Sequence, residues 1–153
     1  MKTSFAVVRR AALYLAIAAI GNLVWEALQI PLYTIWWTGT RREIAVAVIH
    51  CTGGDIVISA AALLIGGLSA RILGWKWFGP RMMLTTVVLG VTYTVFSEGL
   101  NVEVWRNWSY SSAMPVLPWL GTGFAPVLQW LVVPGLAFAI SDKATAAFDQ
   151  RRG

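Results

Sequence analysis

The 153-residue chain has few of the residues that most catalytic and metal-binding motifs need. It contains one cysteine, Cys51, and one histidine, His50. A single cysteine excludes an internal disulfide, and a single histidine excludes a haem held by two histidines. The GxSxG, HExxH, P-loop, CxxC and glycine-rich dinucleotide motifs are all absent. The sequence therefore leaves any cofactor unknown. We assign no metal-binding residues, because His50 and Asp55 lack the regular i, i+4 spacing and no second nitrogen ligand exists, and a divalent metal held by His50 and carboxylates stays an open alternative.

Charged residues are also scarce, at 12% of the chain against 58% apolar residues. This departure from the usual globular composition is typical of membrane proteins. The net charge of +5 does not indicate nucleic acid as a partner, because the basic residues stand singly or in pairs beside apolar runs and form no stripe.

Four apolar runs are each about as long as a helix that crosses a bilayer. About 20 residues at 1.5 Å per residue cross roughly 30 Å of hydrocarbon. Helices are required because backbone groups in lipid must be satisfied within the segment, and no barrel pattern of period two is present. We therefore predict an all-α integral membrane protein, a single domain over residues 1–153. Its four transmembrane helices should form a bundle, with spans at about residues 11–36, 44–70, 82–101 and 120–140.

Lysine and arginine are distributed unequally between the two sides of such a bundle. The side with both termini and the 71–81 connection holds nine of them, and the other side holds Arg41, Arg42 and Arg106. The positive-inside rule then places the N- and C-termini in the cytoplasm. The nine are Lys2, Arg9, Arg10, Arg71, Lys76, Arg81, Lys143, Arg151 and Arg152. Apolar character continues from residue 11 to Trp37, so we expect an uncleaved anchor rather than a signal peptide, in a bacterial inner membrane.

Polar residues inside the spans are concentrated away from the cytoplasmic side. From the outer ends of the predicted helices, Glu26, Asp55 and Gln129 lie about 15 Å deep and His50 about 9 Å deep. Glu98 and Asn101 are shallower. A carboxylate at the centre of a membrane helix costs at least about 2.5 to 3.5 kcal/mol, so we expect these groups to face the bundle interior or a water-filled cavity.

Helical spacing groups several of these residues on common faces. Polar residues spaced three or four positions apart lie on one face of a helix. This spacing gives a polar stripe on the first span and a second one on the third span. His50 and Asp55 are separated by about 140° on a regular helix, and Gly53-Gly54 between them permits a kink or a close approach by a helix or ligand. The first stripe is Asn22, Glu26, Gln29 and Tyr33, and the second is Thr94, Glu98 and Asn101.

These patterns predict one cavity near the outer side of the bundle. Its candidate catalytic residues are Glu26, His50, Asp55 and Glu98. Its candidate ligand-binding residues are Asn22, Gln29, Asn101, Trp108, Tyr110 and Gln129. The structural alternative is that the same polar groups only hold helices together, which we favour for Gln129 and for the glycine pairs Gly53-Gly54 and Gly66-Gly67.

The loop from Asn101 to Trp119 is rich in aromatic residues and is interrupted by Pro115 and Pro118. We expect it to lie along the outer interface as a short amphipathic segment, or above the cavity as a lid. An ordinary belt of interfacial aromatic residues is the alternative.

The segment EALQIPLY, from Glu26 to Tyr33, resembles part of one helix of small four-span proteins similar to sterol isomerases. The resemblance covers only these residues, the helix order differs, and it implies no residue roles here.

Three function classes stay open. The first is a membrane enzyme that uses His50 and one of Glu26, Asp55 or Glu98 as general acid and base on a lipid or other amphiphile. The second is a non-catalytic subunit or a lipid-binding module. The third, which we rank lowest, is a proton-coupled transporter, because the polar residues stop short of the cytoplasmic half. The expected partners are the bilayer and an amphiphilic ligand, and a homo-oligomer or a larger membrane complex stays open.

Overall fold

The computed structural model describes the backbone of residues 2–150 and the side chains of residues 5–148 and 150. Within that part the chain is helical, with no strand. The prediction of orientation also counted Lys2, Arg151 and Arg152. The side chains of these three residues lie outside the described part of the chain. The helices are α1 (Lys2–Gln29), a 3-10 turn (Ile30–Leu32), α2 (Ile35–Thr38), α3 (Arg41–Ile72), α4 (Pro80–Glu98), a π-helical turn (Gly99–Val104) and α5 (Phe124–Gln150).

Four of the described helical segments are long and apolar enough to cross a membrane: Phe5–Leu32, Arg41–Ile72, Pro80–Val104 and Phe124–Phe148. The predicted all-α four-helix membrane bundle is therefore confirmed. Helix α1 packs on α3 and α5, and α4 packs on the same two helices. The four helices thus form a ring in which α1 lies diagonally opposite α4, and α3 lies diagonally opposite α5. We call the end that carries residues 30–40 and 99–123 the outer end.

The first predicted span is too long at its outer end. We predicted one helix to residue 36, but α1 ends at Gln29 and the chain turns through Ile30–Leu32 into the separate short helix α2. Pro31 explains the end, because proline has no N–H to donate within a helix. Glu26 therefore lies three residues from the end of α1, about 5 Å rather than 15 Å along the helix axis.

The other boundaries differ less. Helix α5 begins at Phe124 rather than at Leu120, which brings Gln129 nearer to the helix end than predicted. The third span begins at Pro80, where proline fits the first helical position, and continues past Glu98 as the π-helical turn. Helix α3 begins with a capping box: Glu43 N–H donates to Thr40 Oγ1 at 3.3 Å, and Thr40 N–H donates to Glu43 Oε2 at 2.8 Å.

Close helix packing lies at the inner half of the bundle. A Cβ atom on Gly66 would lie 2.9 Å from Thr86 Oγ1, so α3 approaches α4 at this level. Tyr14 is fully buried and its ring packs edge-on against Phe138 of α5. Arg10 and Asp142 form an ion pair that links α1 to α5 near the inner end. The inner half is therefore the tightly packed part of the fold.

Candidate functional site

A cavity of about 530 Å³ lies toward the outer end between the four long helices. All four candidate catalytic residues are on its wall. So are four of the six candidate ligand-binding residues: Gln29, Asn101, Trp108 and Gln129. The wall also contains Ile30, Tyr33, Ile35, Ala47, Cys51, Gly54, Ile58, Tyr93, Thr94, Ser97, Asn107, Pro126 and Trp130. The structure thus brings the predicted residues to one place, and their roles stay predictions.

Glu26 is held at the cavity by a neighbour on its own helix. Gln29 lies three residues on and donates a hydrogen bond from Nε2 to Glu26 Oε1 at 2.7 Å. The indole of Trp25 in turn donates to Gln29 Oε1 at 3.1 Å. Glu26 is only 6% exposed, so the prediction that it faces the bundle interior is confirmed. The spacing of the first stripe thus positions both the carboxylate and its partner.

Gln129 connects its own helix α5 to α1 and α3, on the outer side of the tightly packed inner half. Its Nε2 donates to Asp55 Oδ2 on α3 at 2.8 Å and to Asn22 Oδ1 on α1 at 3.1 Å. Its Oε1 accepts from Gln29 Nε2 at 3.3 Å. Asp55 therefore also points into the bundle, as predicted. Asn22 is buried but is not on the cavity wall, so it supports Gln129 rather than contacting the cavity directly.

Glu26 and Asp55 are joined through two amide side chains: Gln29 Nε2 donates both to Glu26 Oε1 and to Gln129 Oε1, and Gln129 Nε2 donates to Asp55 Oδ2. No lysine or arginine is on the cavity wall among the described residues. Two carboxyl groups linked in this way without a nearby cation are an arrangement in which one proton can be shared. Helices α1 and α3 thus form a carboxyl pair that the sequence spacing alone did not show.

Glu98 is held by the outer loop. The Tyr110 hydroxyl donates to Glu98 Oε2 and accepts from the Gly123 N–H, the latter at 2.8 Å. Burial and the hydrogen bond to Glu98 raise the pKa of Tyr110 well above its ordinary value, so it stays a proton donor at neutral pH. Tyr110 is not on the cavity wall, so its predicted ligand contact is replaced by a contact to Glu98.

The same loop is fixed over the outer end by backbone hydrogen bonds. Thr34 N–H donates to Ser109 O at 3.0 Å, and Ser111 N–H donates to Leu32 O at 2.9 Å. The rings of Tyr33 and Tyr110 pack with centroids 5.5 Å apart. The loop is therefore fixed at the outer end of the bundle, where Asn107 and Trp108 line the cavity, and its role as a lid stays a prediction.

His50 stands at the edge of the site. It is exposed, and it faces both the cavity and a shallow outer depression that also contains Arg42 and Glu43. No hydrogen bond joins His50 to Asp55 among the described residues, as their angular separation predicted. Gln29 and Gln129 thus form hydrogen bonds with the carboxyl groups of Glu26 and Asp55, whereas His50 forms none with Asp55.

Several wall residues were not singled out from the sequence, among them Cys51, Trp130 and Asn107. Cys51 is half-buried on the cavity wall, one helical turn from Asp55. That spacing of four residues was the available signal. Trp130 and Asn107 also line the cavity. Asn107 Nδ2 donates to Asn101 Oδ1 at 2.7 Å, a loop contact without a sequence signal.

Among the described side chains, no group of three His, Cys, Asp or Glu residues has the arrangement needed to hold a metal ion. The fold and the site together define a polytopic membrane protein of four helices with an acidic cavity. No protein-family model, no curated protein and no solved structure matches the chain.

Proposed function

We propose that the protein is a membrane enzyme that performs acid–base chemistry on an amphiphile, with Glu26 and Asp55 as the proton-transferring pair. The observation that carries the proposal is the placement of these two carboxyl groups, linked through Gln29 and Gln129, on the wall of a cavity large enough for part of a lipid. We further propose a location in a bacterial inner membrane with both termini in the cytoplasm.

The environment of the pair suits proton transfer. A general acid and a general base must differ in proton affinity, and two carboxyl groups that share a proton satisfy this requirement. Gln29 donates to Glu26, and Gln129 donates to Asp55, so each carboxyl group has an amide that fixes its orientation. Neither amide can exchange the proton itself, which leaves the two carboxyl groups as the transferring groups.

Glu98 and His50 have different places in this proposal. Glu98 is oriented by Tyr110 and lies on the same wall, where it favours a neutral or cationic part of the substrate. His50 is on the exposed edge of the cavity, so we place it beside the substrate rather than in the proton-transferring pair. The absence of lysine and arginine from the described wall disfavours an anionic head group.

Turnover by the purified protein tests the proposal. The protein is reconstituted into vesicles of the polar lipids of its host membrane, and mass spectrometry follows the lipids that are consumed and formed. Glu26→Gln and Asp55→Asn keep the hydrogen-bonding shape of each group but remove the titratable proton. Each should lower turnover by about 10²-fold or more, the usual contribution of general acid–base catalysis.

Glu103→Gln is the matched control, because Glu103 is an exposed carboxylate outside the cavity wall. It should leave turnover unchanged. If Glu26→Gln and Asp55→Asn turn over like the wild type, the acid–base proposal is wrong. If no lipid is converted while a lipid remains bound through purification, the chain is a lipid-binding module or subunit instead.

A further inference from the structure

The glycine pairs of α3 differ in their surroundings. A Cβ atom on Gly66 would lie 2.9 Å from Thr86 Oγ1, and one on Gly67 would lie 3.0 Å from the Trp77 ring. On Gly53 or Gly54, the same atom would have no neighbour within 4 Å. Helix α3 is therefore closely covered at its inner half and uncovered at Gly53-Gly54.

The uncovered stretch of α3 is also part of the cavity edge. Gly54 and His50 lie one turn apart on α3, and both are exposed and line the cavity. Across from them on α4, Tyr93 also lines the cavity and is 49% exposed. Exposed wall residues on two adjacent helices mark an opening between those helices, in the surface that the membrane covers.

The outer end of the cavity is more restricted. The loop is tied to Leu32 and Thr34 by backbone hydrogen bonds, and Tyr110 ties it to Glu98. Asn107 is the exposed wall residue of this loop, and its side chain and backbone N–H both bond to Asn101. Entry from water would have to pass beside these contacts.

From these relationships we infer that the cavity opens sideways into the bilayer between α3 and α4, through a portal bounded by His50, Gly54 and Tyr93. The ligand is then an amphiphile that enters from the membrane. Its head group reaches the carboxyl groups while its chain extends between the two helices into lipid. This inference deepens the proposed function, because it names the substrate class and its route, but the portal can exist without the proposed acid–base chemistry.

Cys51 makes the route measurable, because it is the only cysteine of the chain and lies on the cavity wall. The full-length protein in lipid vesicles is treated with N-phenylmaleimide, which dissolves in membranes, or with a neutral sugar-linked maleimide, which stays in water. We expect N-phenylmaleimide to label Cys51 about tenfold faster or more at equal aqueous concentration, since its barrier to entry is lower. A Cys51→Ser variant provides the background.

Gly54→Leu should obstruct the portal and slow labelling by N-phenylmaleimide by about tenfold or more. Gly53→Leu is the matched control: Gly53 has the same open surroundings but is not on the cavity wall. Leucine is a better helix former than glycine, so both variants should keep the fold, which a thermal melt verifies.

Two results overturn the portal: equal labelling rates for the two leucine variants, or labelling of wild-type Cys51 that is as fast with the water-restricted reagent. Loss of turnover in Glu26→Gln with unchanged labelling would leave both proposals standing. Normal turnover in that variant would remove only the acid–base proposal.

Discussion

Gln129 on α5 donates a hydrogen bond to Asp55 on α3 at 2.8 Å, although α3 and α5 lie diagonally opposite each other in the bundle. The bond therefore crosses the interior rather than joining two helices that pack side by side. It links the two helices across the bundle and orients the Asp55 carboxyl group at the cavity wall.

Replacing Gln129 with methionine should destabilise the protein, because Asp55 and Asn22 would lose their donor inside the bundle. Leaving a buried polar group unsatisfied costs about 1–3 kcal/mol. Thermal or denaturant unfolding in detergent measures the difference. Thr92→Val is the control, because Thr92 is exposed and its hydroxyl bonds only to Val88 O of its own helix. It should change stability by less than about 0.5 kcal/mol. Equal stability of the two variants would contradict the structural role of Gln129.

Tyr110→Phe should loosen the outer loop. The change removes both the donor to Glu98 and the acceptor for the Gly123 N–H. A lost hydrogen bond of about 1 kcal/mol corresponds to roughly fivefold faster local opening. Hydrogen–deuterium exchange of the peptide containing Gly123 reports this opening. Tyr93→Phe, on exposed α4 surface, should leave that peptide unchanged. Unchanged exchange in Tyr110→Phe would show that Tyr110 does not fix the loop.

Gly90→Ala should destabilise the contact between α4 and α5. A Cβ atom on Gly90 would lie 2.0 Å from Trp130 Cε3, and Trp130 is only 2% exposed, so its ring has little room to move. Overpacking of this kind costs about 1–3 kcal/mol, which a melting curve would reveal. Gly135→Ala is the comparison, because nothing lies within 4 Å of its Cβ position. If both variants melt like the wild type, the close approach of Trp130 to α4 is wrong.

The charge of the cavity predicts a preference among amphiphiles. Three carboxyl groups and no described lysine or arginine on the wall favour neutral or cationic head groups. Alkyl chains of one length, ending in an amine, a glycerol ester or a sulfate, can be compared as protectors of Cys51 against N-phenylmaleimide. The amine and the glycerol ester should protect, and the sulfate should not. Protection by the sulfate as strong as by the amine would refute the preference.

The sequence predicted the stripes but not their connections. Glu26 and Gln29 share a helix face by spacing alone, and their hydrogen bond follows from local geometry. The bond from Gln129 to Asp55 depends on which helices lie across the bundle, and no residue spacing encodes that arrangement. The loop contact of Tyr110 with Glu98 is equally non-local.

Two further differences between the predicted and the observed structure have local causes in the sequence. The first span was expected to continue to residue 36, whereas α1 ends at Gln29, two residues before Pro31. The pairs Gly53-Gly54 and Gly66-Gly67 are identical as dipeptides, and we favoured close helix packing for both. Only Gly66-Gly67 is closely packed, because Gly66 faces Thr86 of α4 and Gly67 faces Trp77 of the connection that precedes α4.

Infrared spectroscopy of the protein in lipid at neutral pH can detect the proton that we propose Glu26 and Asp55 share at the cavity wall. A protonated carboxyl group absorbs apart from a carboxylate and shifts in deuterated water. We expect this absorption in the wild type and in Glu103→Gln, and its loss or reduction in both Glu26→Gln and Asp55→Asn. A wild-type spectrum without a protonated carboxyl band, or a band unchanged in both cavity variants, would contradict it.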